Sequence, residues 1–223
     1  MTNATETPDA RADSAREQIL RAAAHQFAHR PYSMVSLDDI LREAEVTKGA
    51  MYFHFRSKHA LAVTLIDMQT QLMRDAINEL LARKLSGLET LIDISYYLTT
   101  QEIAHDLAKA SLHLLEAIGR SDDLQAKRLA EWITDFTVIA QRAADEGDLL
   151  ETANPADVSR LLVALYAGIR QTNDLADTEG YLRNLQVAWL QVLPGIANPE
   201  RLAYFAQFIR RHTATAIKTV NRC

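Results

Sequence analysis

The chain has 223 residues, 48% of them hydrophobic and 24% charged, and a net charge of −5. That composition belongs to a folded globular protein and argues against both a disordered chain and a general binder of polyanions. The only cysteine is Cys223, so an intrachain disulfide and a thiolate metal site are excluded and a reducing, cytoplasmic setting is expected. The start, MTNATETPDARADSAREQ, has neither the basic end nor the apolar stretch of a signal peptide. Apolar runs such as 161–169 reach about half of the ~20 residues that a membrane span needs, and no membrane association is expected. Seven glycines and five prolines are few for this length, which disfavours hairpins and favours an all-α fold.

Residues 1–13, rich in Thr, Ala and Asp, read as a disordered tail. Helix starts are marked by three Ser-x-x-acid signatures, Ser14 with Glu17, Ser36 with Asp39 and Ser86 with Glu89. Asn154-Pro155 and Asn198-Pro199 add two more, each an N-cap followed by a residue preset for the first turn. Between these marks apolar residues recur at spacings of three and four: Ile19, Leu20, Ala23, Ala24 and Phe27, then Leu37, Ile40, Leu41 and Ala44. The pattern predicts helices over 14–30, 36–44, 47–54, 58–83, 86–99, 101–118, 122–145, 155–174, 179–192 and 199–220, and no strand. The first three are short and closely joined, whereas the later ones are long, as in a bundle. A three-helix head over 14–57 and a helical bundle over 58–223 are therefore expected, with the helix from Lys58 leading from one to the other.

Between Glu45 and Asp67 the chain carries Lys48, Arg56 and Lys58, with His54 and His59, and no acid. Positive charge thus collects in the head of an acidic chain, where a phosphate backbone could use it. The segment SLDDILREAEVTKGAMYFHF, 36–55, is a short amphipathic helix, a three-residue turn around Val46 and a second short helix, which is helix-turn-helix spacing. Thr47 can cap the second helix. Lys48 and Gly49 then fall in its first turn, the part such a helix presents to base edges, and Lys48 suits the O6 and N7 acceptors of guanine. Gly49 costs a helix about 1 kcal/mol relative to alanine; leaving out a side chain where the DNA surface approaches would be its reason. Tyr52 and His54 suit phosphate contacts, and Lys58 sets a cation beside the free N–H groups of the next helix start. Val46, Met51 and Phe55 read as core residues, and His25 and His29 as surface or packing residues.

The run VTKGAMYFHFRSKHALA resembles the helix-turn-helix signature of the tetracycline-repressor (TetR) family, and AREQILRAAAHQFAHRPYSMVSLDDI matches the family's preceding helices in spacing and type. The resemblance covers about residues 14–65. It implies that Lys48, Gly49 and Tyr52 face bases of a double-stranded DNA operator, and that Ser36, Thr47, Tyr52, His54 and Lys58 face its phosphates. Asp38 departs from the pattern, because some members place a polar or basic contact there and a carboxylate repels phosphate. The resemblance also implies that 58–223 holds a ligand pocket and a dimer interface. RLAEWITDFTVIAQRAADEGDLLETANPADVSRLLVALYAGIRQT is similar to the γ-butyrolactone-type autoregulator receptors within the family, which share its Glu-Trp pair. That likeness implies a pocket lined by Trp132 and, one turn on, Phe136, with Tyr96, Tyr97, Leu112, Leu115 and Tyr166 completing a mostly apolar cavity.

Two wide apolar faces, Val158, Leu161, Leu162, Leu165 and Ile169 on one helix and Leu202, Phe205, Ile209 and Val220 on another, are expected to pair across a two-fold axis in a homodimer. Glu102-x-x-His105 and His113-x-x-Glu116 raise the question of a metal, but a bundle di-iron centre needs a second Glu-x-x-His helix and two further inward Glu residues. No metal and no cofactor are expected. There is no Gly-x-Ser-x-Gly and no glycine-rich phosphate loop, so no enzyme is expected. The resulting expectation is a cytoplasmic homodimeric repressor on a near-palindromic operator, released by a small, mostly apolar effector such as a γ-butyrolactone-like signal. An activator stays open. An all-helical enzyme or carrier is the rival, and it leaves Thr47, Lys48, Gly49, Tyr52, His54 and Lys58 unexplained.

Overall fold

The computed structural model describes residues 8–120 and 123–221. Among the described residues the chain forms ten α-helices and two 3₁₀ turns, with no strand. The helices are α1 (Pro8–His29), α2 (Leu37–Ala44), α3 (Lys48–His54), α4 (Lys58–Leu81), α5 (Gly87–Ala104), α6 (Asp106–Ile118), α7 (Leu124–Asp145), α8 (Pro155–Thr172), α9 (Thr178–Ile196) and α10 (Leu202–Val220). The 3₁₀ turns are Tyr32–Met34 and Pro199–Arg201. The fold class is all-α, as expected. The chain divides into two compact units: one runs to Met73 and takes in His105–Gln125, and the other holds Arg74–Ala104 and the chain from Ala126 onward.

In the first unit the stripe Ile19, Leu20, Ala23 and Phe27 of α1 packs with Ile40, Met51, Leu61, Leu65, Leu114 and Ile118, all buried. Met51 is the buried residue of α3. A helix of seven residues does not stand alone in water, so this one anchor, worth about 1.5–3 kcal/mol of burial, fixes which way the helix faces. With Met51 inward, Lys48, Gly49, Tyr52 and Phe53 are turned to solvent. The expected three-residue turn is present between α2 and α3. It passes through Glu45 at φ 55, the left-handed conformation that ends many helices.

In the second unit α5 is buried along most of its length, at Gly87–Ile94, Tyr96, Thr99 and Glu102, as a helix must be when others cover all its sides. Gly87 is needed there because a Cβ would lie 2.3 Å from the Ala143 nitrogen of α7. The two faces expected to form a dimer interface are largely used inside the chain. Val158, Leu162, Ile169, Phe205 and Ile209 are buried in the core of this unit, and Leu165, Leu202 and Val220 pack against it. Leu161, 43% exposed, stays outside with Ala164 and Gly168. An apolar stripe does not reveal whether its partner lies in the same chain, and here α5 and α9 take that place.

Helix boundaries differ from the sequence pattern where local chemistry overrides it. Helix α1 begins at Pro8, suited to a first helical position, so Ser14 lies inside the helix instead of capping it. Residues 1–7 of the expected tail, the expected helix start at Asp122 and Cys223 lie outside the described residues. Helix α5 continues through 100 to Ala104, because Thr99 and Thr100 donate their hydroxyls to the Ser95 and Tyr97 carbonyls (3.0 and 2.9 Å) without displacing the helical bonds. Helix α9 passes Pro194 and ends at Ile196. One missing N–H in a last turn is tolerated, and the Ile196 carbonyl accepts from Leu150 N at 2.9 Å.

Candidate functional site

Two sites emerge, one in each unit. In the first, α2 is fixed by a reciprocal cap: Ser36 Oγ accepts from Asp39 N (3.1 Å), and Asp39 Oδ2 accepts from Ser36 N (3.0 Å) and Ser36 Oγ (2.7 Å). These bonds, with Arg30 and Arg42 beside them, hold the Asp39 carboxyl at about 2. Thr47 caps α3 by accepting from Ala50 N at 3.2 Å. The outward residues of α3 then form one run: Lys48, Gly49, Tyr52 at 49% exposure and Phe53 at 79%. His54 is half-buried, its ring edge-on to Phe53 at 5.0 Å. A Cβ on Gly49 would meet only Thr47 Oγ1, at 3.9 Å, so nothing inside the chain requires glycine there.

Lys58 opens α4, and its Nζ donates to the carbonyls of Tyr32 (2.8 Å) and Val35 (2.9 Å) and sits 4.1 Å from the centre of the Tyr32 ring. Two of its three N–H groups are thereby committed to holding the start of α4 against the segment that leads into α2. Phe53 was missed in the sequence. The signal was available, since Met51 and Phe55, four apart and inward, leave 52 and 53 facing out.

In the second unit a cavity is lined by Leu91, Ser95 and Leu98 of α5, Phe136 of α7, Leu162, Leu165 and Tyr166 of α8, and Leu185 and Trp189 of α9. It offers about 20 Å³ to the centre of a water-sized sphere, room for one or two waters. Trp189 Nε1 donates to Ser95 Oγ (2.8 Å), which donates to the Ile92 carbonyl (2.7 Å). Phe136 also borders an open groove of about 450 Å³ formed with Arg74, Ile77, Asn78, Leu81, Asp135 and Ile139, so its ring stands between groove and cavity.

Of the residues expected on this wall, Phe136 and Tyr166 are there. Helical spacing explains the others: 91, 95 and 98 fall on the cavity side of α5, which turns Tyr96 and Tyr97 away. Tyr96 is buried against Thr213, its hydroxyl 2.6 Å from Thr213 Oγ1 and pushed up to about 12 by burial. Trp132 is half-buried on α7 one turn before Phe136 and is not on the wall. Leu112 and Leu115 lie on α6 in the other unit, where Leu115 is part of the core. Trp189 and Ser95 were missed, because only the tertiary fold brings two residues 94 apart into a hydrogen bond.

Behind Tyr166 lies a buried polar cluster. Glu102, 1% exposed, accepts from Arg170 Nε (2.7 Å), Tyr181 (3.1 Å) and Tyr166 (3.4 Å). Burial, then the Glu102 charge, pushes both tyrosine hydroxyls well up, so they stay protonated donors. Glu102 and His105 do not share a helix, since α5 ends at Ala104.

Residues 19–65 match the family described as bacterial regulatory proteins, tetR family. The head thus carries the domain that marks the TetR family. It is 29% identical to the A-factor receptor protein of Streptomyces griseus over 198 residues, 87% of this chain and 68% of that one. A γ-butyrolactone receptor (ArpA-like protein) superposes with a TM-score of 0.78 at 25% identity, covering 92% of this chain and 99% of the other. CprB of Streptomyces coelicolor, solved in complex with its biological operator sequence, gives 0.77 at 25% identity over 91% and 98%. The similarity beyond the head thus runs to the autoregulator-receptor branch of the TetR family. A TetR protein is a transcriptional regulator, which sets aside the enzyme reading. No helix among the described residues is long and apolar enough to cross a membrane.

Proposed function

We propose that this TetR protein is a cytoplasmic homodimeric repressor that binds a near-palindromic operator through α3 and leaves it when a small, uncharged, mostly apolar effector enters the second unit. The observation that carries the DNA half is Gly49. It sits in the exposed first turn of α3 at a cost of about 1 kcal/mol of helix propensity, and its surroundings in the chain have room for a side chain. A surface outside the chain is what glycine serves. In this reading Lys48 donates to guanine O6 and N7, Gly49 lets the base edges approach, Phe53 adds apolar contact to thymine methyl groups, and Tyr52, Thr47, Ser36 and His54 meet phosphates and sugars. Lys58 acts through position, by holding α4 to the segment before α2.

The lining of the cavity supports the effector half. Six aliphatic or phenyl side chains line it together with Ser95, Tyr166 and Trp189, which suits an alkyl body with few polar groups and disfavours an ion. Its small volume means that an effector must enlarge it. Swinging Phe136 toward the 450 Å³ groove does so, and the enlarged space runs along α7 to Trp132, one turn away on the same face. A γ-butyrolactone with an alkyl chain has this chemistry. One similar solved structure is named a γ-butyrolactone receptor. For the dimer, Leu161, Ala164 and Gly168 give α8 an outward stripe of one leucine and two small residues that permits close approach.

The test is fluorescence anisotropy of the purified protein on DNA flanking its own gene, at physiological salt with excess random duplex. Dissociation constants on the order of 10⁻⁸ M or tighter, reversed by an alkyl γ-butyrolactone, are expected. Binding no better than to random DNA sinks the operator reading for that site. Tight binding that no lactone reverses sinks the effector class.

A further inference from the structure

We propose that His25, His29 and Asp106 form a binding site for a divalent cation of the zinc class on the N-terminal unit. His25 and His29 lie four residues apart on α1 with ring centres 4.5 Å apart, and Asp106 is the first residue of α6. One ligand atom from each lies within 4.8 Å of the other two. Around a zinc ion with bonds near 2.0–2.1 Å, ligand atoms sit roughly 3.3 Å apart, so small side-chain rotations close the site.

The hydrogen bond of His29 already selects its ligating atom. His29 Nδ1 is 2.9 Å from the His25 carbonyl oxygen. A carbonyl only accepts, so Nδ1 carries the proton and the lone pair is on Nε2, the atom 3.9 Å from Asp106 Oδ1. His25 Nδ1 donates to Asp106 Oδ2 at 2.8 Å; the ion would take the place of that proton, and the imidazole proton would then sit on Nε2, 3.9 Å from Glu43 Oε1. Glu43 is in turn held by the side-chain amide of Gln26. A carboxylate behind the far nitrogen of a ligating imidazole is the usual support of a zinc-bound histidine, and a backbone carbonyl serves the same purpose for the other. Two imidazole nitrogens and one carboxylate oxygen suit Zn²⁺ better than Ca²⁺ or Mg²⁺. The three side chains are about half exposed, which leaves the fourth position to water. The ion would join α1 to α6 within the unit that carries the helix-turn-helix.

The site is tested on the full, tag-free chain in metal-free buffer by calorimetric titration with Zn²⁺ and by visible absorption with Co²⁺ as reporter. One equivalent of Zn²⁺ per chain is expected, together with a visible d–d band for Co²⁺. His29→Ala and Asp106→Asn should each weaken binding at least tenfold, while His113→Asn leaves it unchanged. All three keep the wild-type circular dichroism spectrum, and saturating Zn²⁺ raises the melting temperature of wild type but not of His29→Ala. No binding in the wild type, or equal affinity in His29→Ala and Asp106→Asn, overturns the site.

Discussion

In the N-terminal unit the side chains proposed to meet DNA all lie within 36–58, and Lys48, Gly49, Tyr52 and Phe53 are turned to solvent by the inward Met51 and Phe55. In the second unit the polar cluster behind the cavity wall is buried and comes from three helices: Glu102 on α5, Tyr166 and Arg170 on α8, Tyr181 on α9, with Tyr181 and Glu102 79 residues apart. The head presents chemistry that local periodicity positions. The bundle holds chemistry that only packing assembles, and a buried polar group there is costly to leave without its partner. Substitutions should accordingly change DNA affinity with little change in stability in the head, and stability first in the bundle.

Glu102→Ala is the strongest attempt to break this contrast. It takes the carboxylate from a buried arginine and two buried tyrosine hydroxyls, and a loss of about 3–5 kcal/mol is expected, read by chemical denaturation. Hydrogen exchange should show the loss of protection within 87–104 and 155–196. Equal loss over α1–α3 would mean that the two units unfold as one. Next, Trp132→Ala should raise the lactone concentration for half-release at least tenfold while leaving operator affinity intact, measured by anisotropy. An unchanged midpoint would confine the effector to the wall formed by Phe136, Tyr166 and Trp189.

In the head, Lys48→Ala should cost about 1–3 kcal/mol of operator binding and relax base choice at one position in each half-site, without shifting the melting temperature. Uniform weakening on all sequences would make Lys48 a phosphate contact. Gly49→Ala separates the two kinds of effect: about 0.5–1 kcal/mol of added stability with weaker operator binding. A variant that is both more stable and equally tight would remove the main support for the DNA face. The smallest effect is expected from Asp39→Asn. Its carboxyl titrates at about 2 in the folded chain against an ordinary 3.8, so its contribution to folding is full above about pH 4 and disappears as pH falls through about 2. The small difference in melting temperature between Asp39→Asn and wild type should therefore be present at pH 6 and vanish toward pH 2.

The caps show how far short-range information reaches. Ser36 with Asp39, Thr47, Asn154 and Asp177 all close their helices through bonds to residues two or three ahead, and such spacing is visible in the chain. Ser14 with Glu17 has the same spacing but lies inside α1, because a proline six residues earlier already starts the helix. Lys58 reads as a phosphate contact from its place at a helix start. Its partners are carbonyls 23 and 26 residues back, beyond what a pattern can specify. The same limit hides the partner of His25, since Asp106 is 81 residues on.

The sequence by itself determined the all-α class, the helix-turn-helix, the cap residues and the outward turn of α3, because these depend on contacts within one or two helical turns. Tertiary structure decided which apolar stripes are spent inside the chain, that Trp189 and not Trp132 lines the cavity as it stands, and which carboxylate each buried hydroxyl finds. Those outcomes depend on which helices become neighbours, and burial removes water as an alternative partner, so the assembled neighbours alone can satisfy them.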